Sequence, residues 1–362
     1  MPRRCAATLA IYGAAHLLVD ACCAAAAFHV ATVGNVSAET FGVLLLLYHA
    51  LAFAMQPLVG LAVDAIGKPR TAVVVGCLLT AAILAIPPSF PIAIVVIAGV
   101  GNALFHVGGG VVCLGLTPHR AAAPGVFVAP GSVGLLLGCV LGRLYPETLL
   151  PLGLTTVAIC LPIAFSPIPR RLVSSTSGTW NPRTLATDAG MSAGDVVLGL
   201  ILLSITARAL LGFLVTFPWD TRPGELIILT LATCLGKALG GFVADRWGWR
   251  RIGVGATLAS LPLLAASSTI AELAVPGLFL LNMTMPITLG AVAEALPGRL
   301  GFAFGLPCLA LFLGMLPSLV GIEVRGTWMV VAILSVSATS LHLGLRNVAS
   351  RSRLENSIPV AT

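Results

Sequence analysis

The chain has 362 residues, 58% of them hydrophobic and only 9% charged, with mean hydropathy +1.03 and a formal net charge of +7. Soluble domains carry about 25% charged residues and keep a polar face on their helices, whereas here apolar stretches run for about 20 residues without one. That excludes a water-soluble enzyme and points to an all-α integral membrane protein.

Charges and Pro/Gly clusters cut the chain into twelve candidate membrane helices. The first, 6–33, carries His16 and Asp20 and is too long for the signal peptide that Arg3 and Arg4 could suggest. Spans 41–62 and 71–86 follow. The fourth, 92–117, holds GNALFHVGGG (101–110), with an asparagine, a histidine and three consecutive glycines in apolar surroundings. The fifth, 121–142, contains GVFVAPGSVGLLLG (125–138), and 149–168 completes the first half. The second half gives 196–217, 226–244, 252–268, 273–293, 300–322 and 327–345. The domain expectation is an N-terminal six-helix bundle (1–168), a cytoplasmic central loop (169–194), a C-terminal six-helix bundle (195–345) and a cytoplasmic tail (346–362). The nine cysteines form no CxxC pair and read as small buried residues; no metal or cofactor is expected.

With both termini cytoplasmic, fifteen of the twenty Lys and Arg fall on the inner side, and Arg143, Arg222 and Arg325 fall outside. This asymmetry follows the positive-inside rule and supports an even number of spans. The halves also repeat at an offset near 180. QPLVGLAVDAIGKPR (56–70) aligns with KALGGFVADRWGWRR (237–251), placing Gly60 on Gly241, Asp64 on Asp245 and Gly67 on Gly248. Asn102 falls on Asn282, and TPHR (117–120) on LPGR (296–299) after a one-residue slip. A duplicated six-helix unit puts a substrate site between the halves.

GLAVDAIGKPR and its echo GFVADRWGWRR resemble the loop motif of the major facilitator superfamily. AHLLVD (15–20), GVGNALFHVGGG (99–110) and AEALPGRLG (293–301) are similar to fosmidomycin-resistance-type efflux proteins. The chain departs from that branch at Val107 and Gly108 to Gly110, where a proline and an acidic residue are common, and at Lys237. The resemblance implies the major facilitator fold, twelve helices in two pseudo-symmetric bundles. The glycine and proline pattern of 125–138 is similar to one linked with antiporters, and equally suits close helix packing.

Gly60 permits close helix contact, and Asp64 can bond to a facing helix N-terminus and to Lys68 or Arg70 beyond Gly67, forming a cytoplasmic gate. Gly241 and Asp245, with Arg246, Arg250 and Arg251, form its counterpart; ordinary interfacial charge is the plainer reading. Glu294 either contacts Arg299 at the gate or is an interfacial charge. His16 and Asp20, spaced i, i+4, share a helix face, as do Asn102 and His106, and the two faces can meet in one interior. His16, Asp20 and His106 suit proton coupling, a structural hydrogen bond being the alternative.

Arg208 and Lys237 lie in apolar spans. With Asp20 they would cost on the order of 8–10 kcal/mol facing lipid, so all three face inward. One acid against two bases favours an anionic or zwitterionic substrate, unless Arg208 pairs with Asp20 and Lys237 with backbone carbonyls. Asn102, Gln56, Asn282 and His49 are further candidate lining of the substrate cavity, although single polar residues often just bond a neighbouring helix. The sequence thus reads as a monomeric secondary transporter of bacterial inner-membrane type, exporting a small phosphonate or drug-like anion or zwitterion by proton antiport. Proton-coupled uptake of an organic anion is the alternative, and a non-transporting sensor or scaffold the remote one. Neither an enzyme motif nor a nucleic-acid-binding pattern is present.

Overall fold

A computed structural model describes residues 3–34, 36–169, 172, 193–214, 223–322 and 326–355. The elements are α1 (Arg3–Val33), α2 (Ala38–Ile66), α3 (Pro69–Ala85), α4 (Pro91–Leu116), α5 (Ala122–Leu144), α6 (Pro146–Phe165), α7 (Ala193–Leu214), α8 (Pro223–Trp247), α9 (Trp249–Ala266), α10 (Ala271–Ala295), α11 (Leu300–Leu319) and α12 (Thr327–Glu355). Ten are long and apolar enough to cross a bilayer; α3 is shorter, and α9 is 18 residues long and opens on Trp249, Arg250 and Arg251. The chain is a multi-pass membrane protein of ten to twelve apolar helices. Leu58, Leu150, Leu161, Ile227 and Val336 project outward, as a lipid-facing surface requires.

Helix ends follow local chemistry. Gly67 (φ 67°) stops α2 in the left-handed conformation, and Pro69 starts α3, where its missing N–H costs nothing. Gly248 (φ 97°) makes the matching break between α8 and α9. His119 (φ 60°) and Gly298 (φ 78°) occupy equivalent positions in the α4–α5 and α10–α11 loops, so the TPHR and LPGR repeats share a backbone shape. α12 continues past 345 to Glu355, so the expected tail begins as helix. Nearly all of the 169–194 loop, Asp220, Arg222, Glu323, Arg325 and the end of the tail lie outside the described residues.

Within the first half, α1 packs on α5 and α3 on α4; within the second, α7 packs on α11 and α12, and α8 on α10. Gly134, Gly138 and Gly142 of α5 face the backbone of Leu17, Ala21 and Ala25 on α1, a ladder of small residues that lets the two helices touch closely. Between halves, the principal contacts are α2 with α11 and α5 with α8. The repeat maps α2 onto α8 and α5 onto α11, so these are one contact seen twice.

Through the GGG, α4 is a continuous helix of 26 residues. Each glycine seats a different neighbour. A Cβ on Gly108 would meet Pro69 O of α3, one on Gly109 the Phe127 ring of α5, and one on Gly110 would overlap the Phe304 ring of α11. Gly110→Ala is therefore expected to cost about 1–3 kcal/mol through overpacking, read as a lower melting temperature. Gly199→Ala in α7, where nothing lies within 4 Å, is the control and is expected to be neutral or stabilising.

Candidate functional site

The close α1–α5 contact and the approach of α4 bring both i, i+4 pairs together. His16 Nε2 lies 3.2 Å from Asp20 Oδ2, His106 Nε2 lies 3.7 Å from Asp20 Oδ1, and the two Nε2 atoms are 2.9 Å apart. The Asn102 amide donates to Asp20 Oδ1 at 3.3 Å. His16 and His106 are buried, and the His16 ring packs against Phe105 and Phe127. Gly131 of α5 closes the cluster: a Cβ there would run into His16 and Asp20.

The ring nitrogens can be assigned from their partners. His16 Nδ1 is 2.8 Å from Phe127 O, and His106 Nδ1 is 2.9 Å from Asn102 O. A carbonyl only accepts, so both Nδ1 atoms carry hydrogen. If both rings are neutral, two Nε2 lone pairs then face each other at 2.9 Å, with Asp20 as a third acceptor. One proton on an Nε2 removes this conflict, since that N–H can donate to the other ring or to Asp20. The geometry thus accommodates one shared proton.

Lys237 of α8 donates to Ser132 Oγ on α5 at 2.7 Å, reaching across the halves one residue from Gly131. Arg208 of α7 donates to the hydroxyls of Thr284 and Thr288 on α10 (3.1 Å to Thr288), and its Nε has no hydrogen-bond partner. No acidic residue pairs with Arg208 or Lys237 among the described residues, and neither takes the partner expected of a purely structural role. Gln56 is buried just after a π-helical turn, Ala50–Ala54; it donates to Ala52 O, and its Oε1 is unpartnered. Asn282 donates to Leu278 O of its own helix, and His49 likewise bonds to Leu45 O; no contact joins either to the cluster.

On the motif side, Asp64 at the end of α2 accepts from the N–H groups of Gly301 (2.7 Å) and Phe302 (2.9 Å), the first turn of α11. Asp245 at the end of α8 accepts from the N–H groups of Ala121 (2.8 Å) and Ala122 (3.1 Å) at the start of α5. Gly60 and Gly241 face the backbone of Gly301 and Ala121, so each glycine admits the helix that its aspartate caps. Neither Lys68 nor Arg70 pairs with Asp64: Arg70 donates to Ser166 O of α6. Asp245 takes Trp249 Nε1 (2.9 Å), and no ion pair with Arg246 forms among the described residues. Glu294 pairs across the halves with His119 (3.4 Å), not with Arg299.

Ser132, Thr284, Thr288, Trp249 and His119 went unread as site residues. Thr284 and Thr288 carried a signal, two hydroxyls at i, i+4 on one helix. Ser132 sat within the quoted 125–138 stretch.

No family model and no curated protein sequence matches the chain. Among solved structures, the chain is similar to a variant of the E. coli fucose:proton symporter FucP, with TM-score 0.64, 11% identity and coverage of 94% of this chain and 98% of that one. A second FucP structure, described as a major facilitator superfamily transporter in the outward conformation, gives TM-score 0.60, 12% identity and coverage of 94% and 99%. The fold is that of a major facilitator transporter. These neighbours are transporters and not enzymes; the likeness carries the fold and does not single out the fosmidomycin-resistance branch.

Proposed function

We propose that the chain is a proton-coupled secondary transporter working by alternating access, with twelve membrane helices in two six-helix halves, and that it exports a small anionic or zwitterionic compound of phosphonate or drug-like chemistry. The motif side is cytoplasmic, both termini lie there, the membrane is of bacterial inner-membrane type, and a monomer suffices. The single observation that carries the coupling is the His16–Asp20–His106 cluster, three acceptors whose geometry calls for one shared proton. Lys237, which donates to Ser132 one residue from Gly131, brings a further cation close to the cluster. Arg208, which forms no ion pair among the described residues, and Lys237, bonded to Ser132 and not to a carboxylate, support an anionic cargo. The Asp64 and Asp245 contacts support a state closed on the cytoplasmic side.

Proton entry supplies about 2.3 kcal/mol per charge per 100 mV, enough to drive efflux. Uptake by proton symport is the second reading, favoured by the likeness to the fucose:proton symporter FucP. Proteoliposomes challenged with a panel of phosphonates and organic anions separate the two by the sign of the lumenal pH change. Asp20→Asn is expected to abolish substrate-driven proton flux while the protein still folds. Unaltered flux in that variant would remove Asp20 from the coupling path.

A further inference from the structure

The same three side chains have the geometry of a metal-ion ligand set. We infer that His16 Nε2, His106 Nε2 and the Asp20 carboxylate form a site for a borderline divalent transition-metal ion such as Zn2+ or Co2+, a ligand beyond the anion and proton of the transport reading.

Ligand bonds of about 2.05 Å put neighbouring donor atoms roughly 2.9 Å apart at right angles and roughly 3.3 Å apart at tetrahedral angles. The separations here are 2.9, 3.2 and 3.7 Å, bracketing those values, with all donor atoms within 4.8 Å of one another. Only small side-chain shifts would bring all three onto one ion. Two imidazoles and a carboxylate are the donors that Zn2+ and Co2+ accept, whereas Mg2+ and Ca2+ favour oxygen alone.

The outer contacts carry the argument further. Metal-bound histidines characteristically donate their second N–H to a carbonyl or carboxylate, which fixes the tautomer and aims the free lone pair at the ion. Both rings do so, His16 to Phe127 O and His106 to Asn102 O. Asn102 steadies Asp20 and keeps a buried Oδ1 without a hydrogen-bond partner beside the site. A ring held only for packing has no need of an Nε2 pointed at a second Nε2.

The charges facing the site come from two helices besides α1: His106 on α4 and Lys237 on α8, with no acid other than Asp20 among the described residues. Asp20 cancels one unit of a dication, and Lys237 adds one. Three protein ligands leave a coordination position open, and an anionic oxygen held by Lys237 can fill it and balance the charge. The site therefore suits a metal ion accompanied by an anion.

The test uses full-length protein purified in detergent without an affinity histidine tag, stripped with EDTA and titrated with Co2+. One equivalent is expected to bind and to produce visible d–d absorption of a four- or five-coordinate site. Because second-shell changes alone cost 10–100-fold in affinity, loss of a ligand in His106→Gln or Asp20→Asn is expected to weaken Co2+ at least about 100-fold. His119→Gln, which breaks only the exposed His119–Glu294 pair, is expected to leave the spectrum intact. Size-exclusion profiles establish that each variant is folded, and a Zn2+-dependent rise in melting temperature of the unmutated protein gives a readout that needs no variant. Absence of d–d absorption and of that rise, or Co2+ binding unchanged in folded His106→Gln, overturns the site. Substrate-driven proton flux on the same preparations keeps the two ideas apart: flux without cobalt binding sinks the metal site alone, and cobalt binding without flux sinks the coupling reading alone.

Discussion

Asp64→Ala combined with Asp245→Ala is expected to open the motif side of the protein, converting its dominant closed arrangement into a minor one. Each carboxylate accepts two N–H bonds at the positive end of a helix from the opposite half, 2.7 and 2.9 Å at α11, 2.8 and 3.1 Å at α5. Hydrogen bonds to a charged group contribute about 1.5–3 kcal/mol each, and the helix dipole adds to them. After rehydration of the freed groups, losing one aspartate is expected to cost the closed state about 2–3 kcal/mol. Conformational states of a protein commonly differ by a few kcal/mol, so one substitution shifts the population and two invert it, by roughly 1,000- to 20,000-fold. The two contacts join different helix pairs of the same two halves, so their effects should add. Double electron–electron resonance between labels at Lys68, just after α2, and Pro297, just before α11, reads the opening as a new long-distance population. An unchanged distance distribution in the double variant shows that packing at Gly60 and Gly241, and not the carboxylates, holds that side shut. Asp64→Asn keeps one acceptor oxygen but loses the charge, and should fall between the unmutated protein and Asp64→Ala.

The repeat was legible because it rests on short local words. Gly60, Asp64 and Gly67 recur with the same spacing, and a glycine that stops a helix with positive φ does so wherever it lies. That Asp64 would meet a facing helix N-terminus followed from electrostatics. That it would not meet Lys68 or Arg70 did not, because proximity in sequence is cancelled once Gly67 turns the chain and α3 leaves in another direction. Likewise, the i, i+4 spacing in α1 and α4 put each polar pair on one helix face, but their convergence on a 2.9 Å contact depends on how α1, α4 and α5 pack. Small residues decide that packing, through Gly131 against His16 and Asp20 and the Gly134–Gly138–Gly142 ladder. Hydroxyl partners were the least visible: Ser132, Thr284 and Thr288 are common in membrane helices, where most bond to their own backbone, and only the position of Arg208 and Lys237 turns them into ligands.

Arg208→Met is expected to abolish tight binding of the proposed anionic cargo without lowering the melting temperature, a combination that separates a binding cation from a structural one. Among the described residues the guanidinium bonds only to two neutral hydroxyls, Thr284 and Thr288, its Nε is unpartnered, and no acid pairs with it. A charge held this way has lost water and gained little, so replacing it with an apolar side chain of similar length removes a desolvation penalty; buried ionic groups exchanged in this manner are often neutral or stabilising by about 1–4 kcal/mol. Binding should respond in the opposite sense. An anion docking on the guanidinium gains paired, charge-assisted hydrogen bonds in a setting poor in water, and losing one partner of such a pair costs about 2–5 kcal/mol. Affinity is therefore expected to fall by about 30- to 4,000-fold. Arg208→Lys keeps the charge but not the planar fork, and should restore only part of the loss. Binding measured by isothermal titration beside thermal melts decides the point. A lowered melting temperature with unchanged affinity assigns Arg208 to the scaffold of α7 and α10, and the anionic cargo would then have to rest on Lys237 alone.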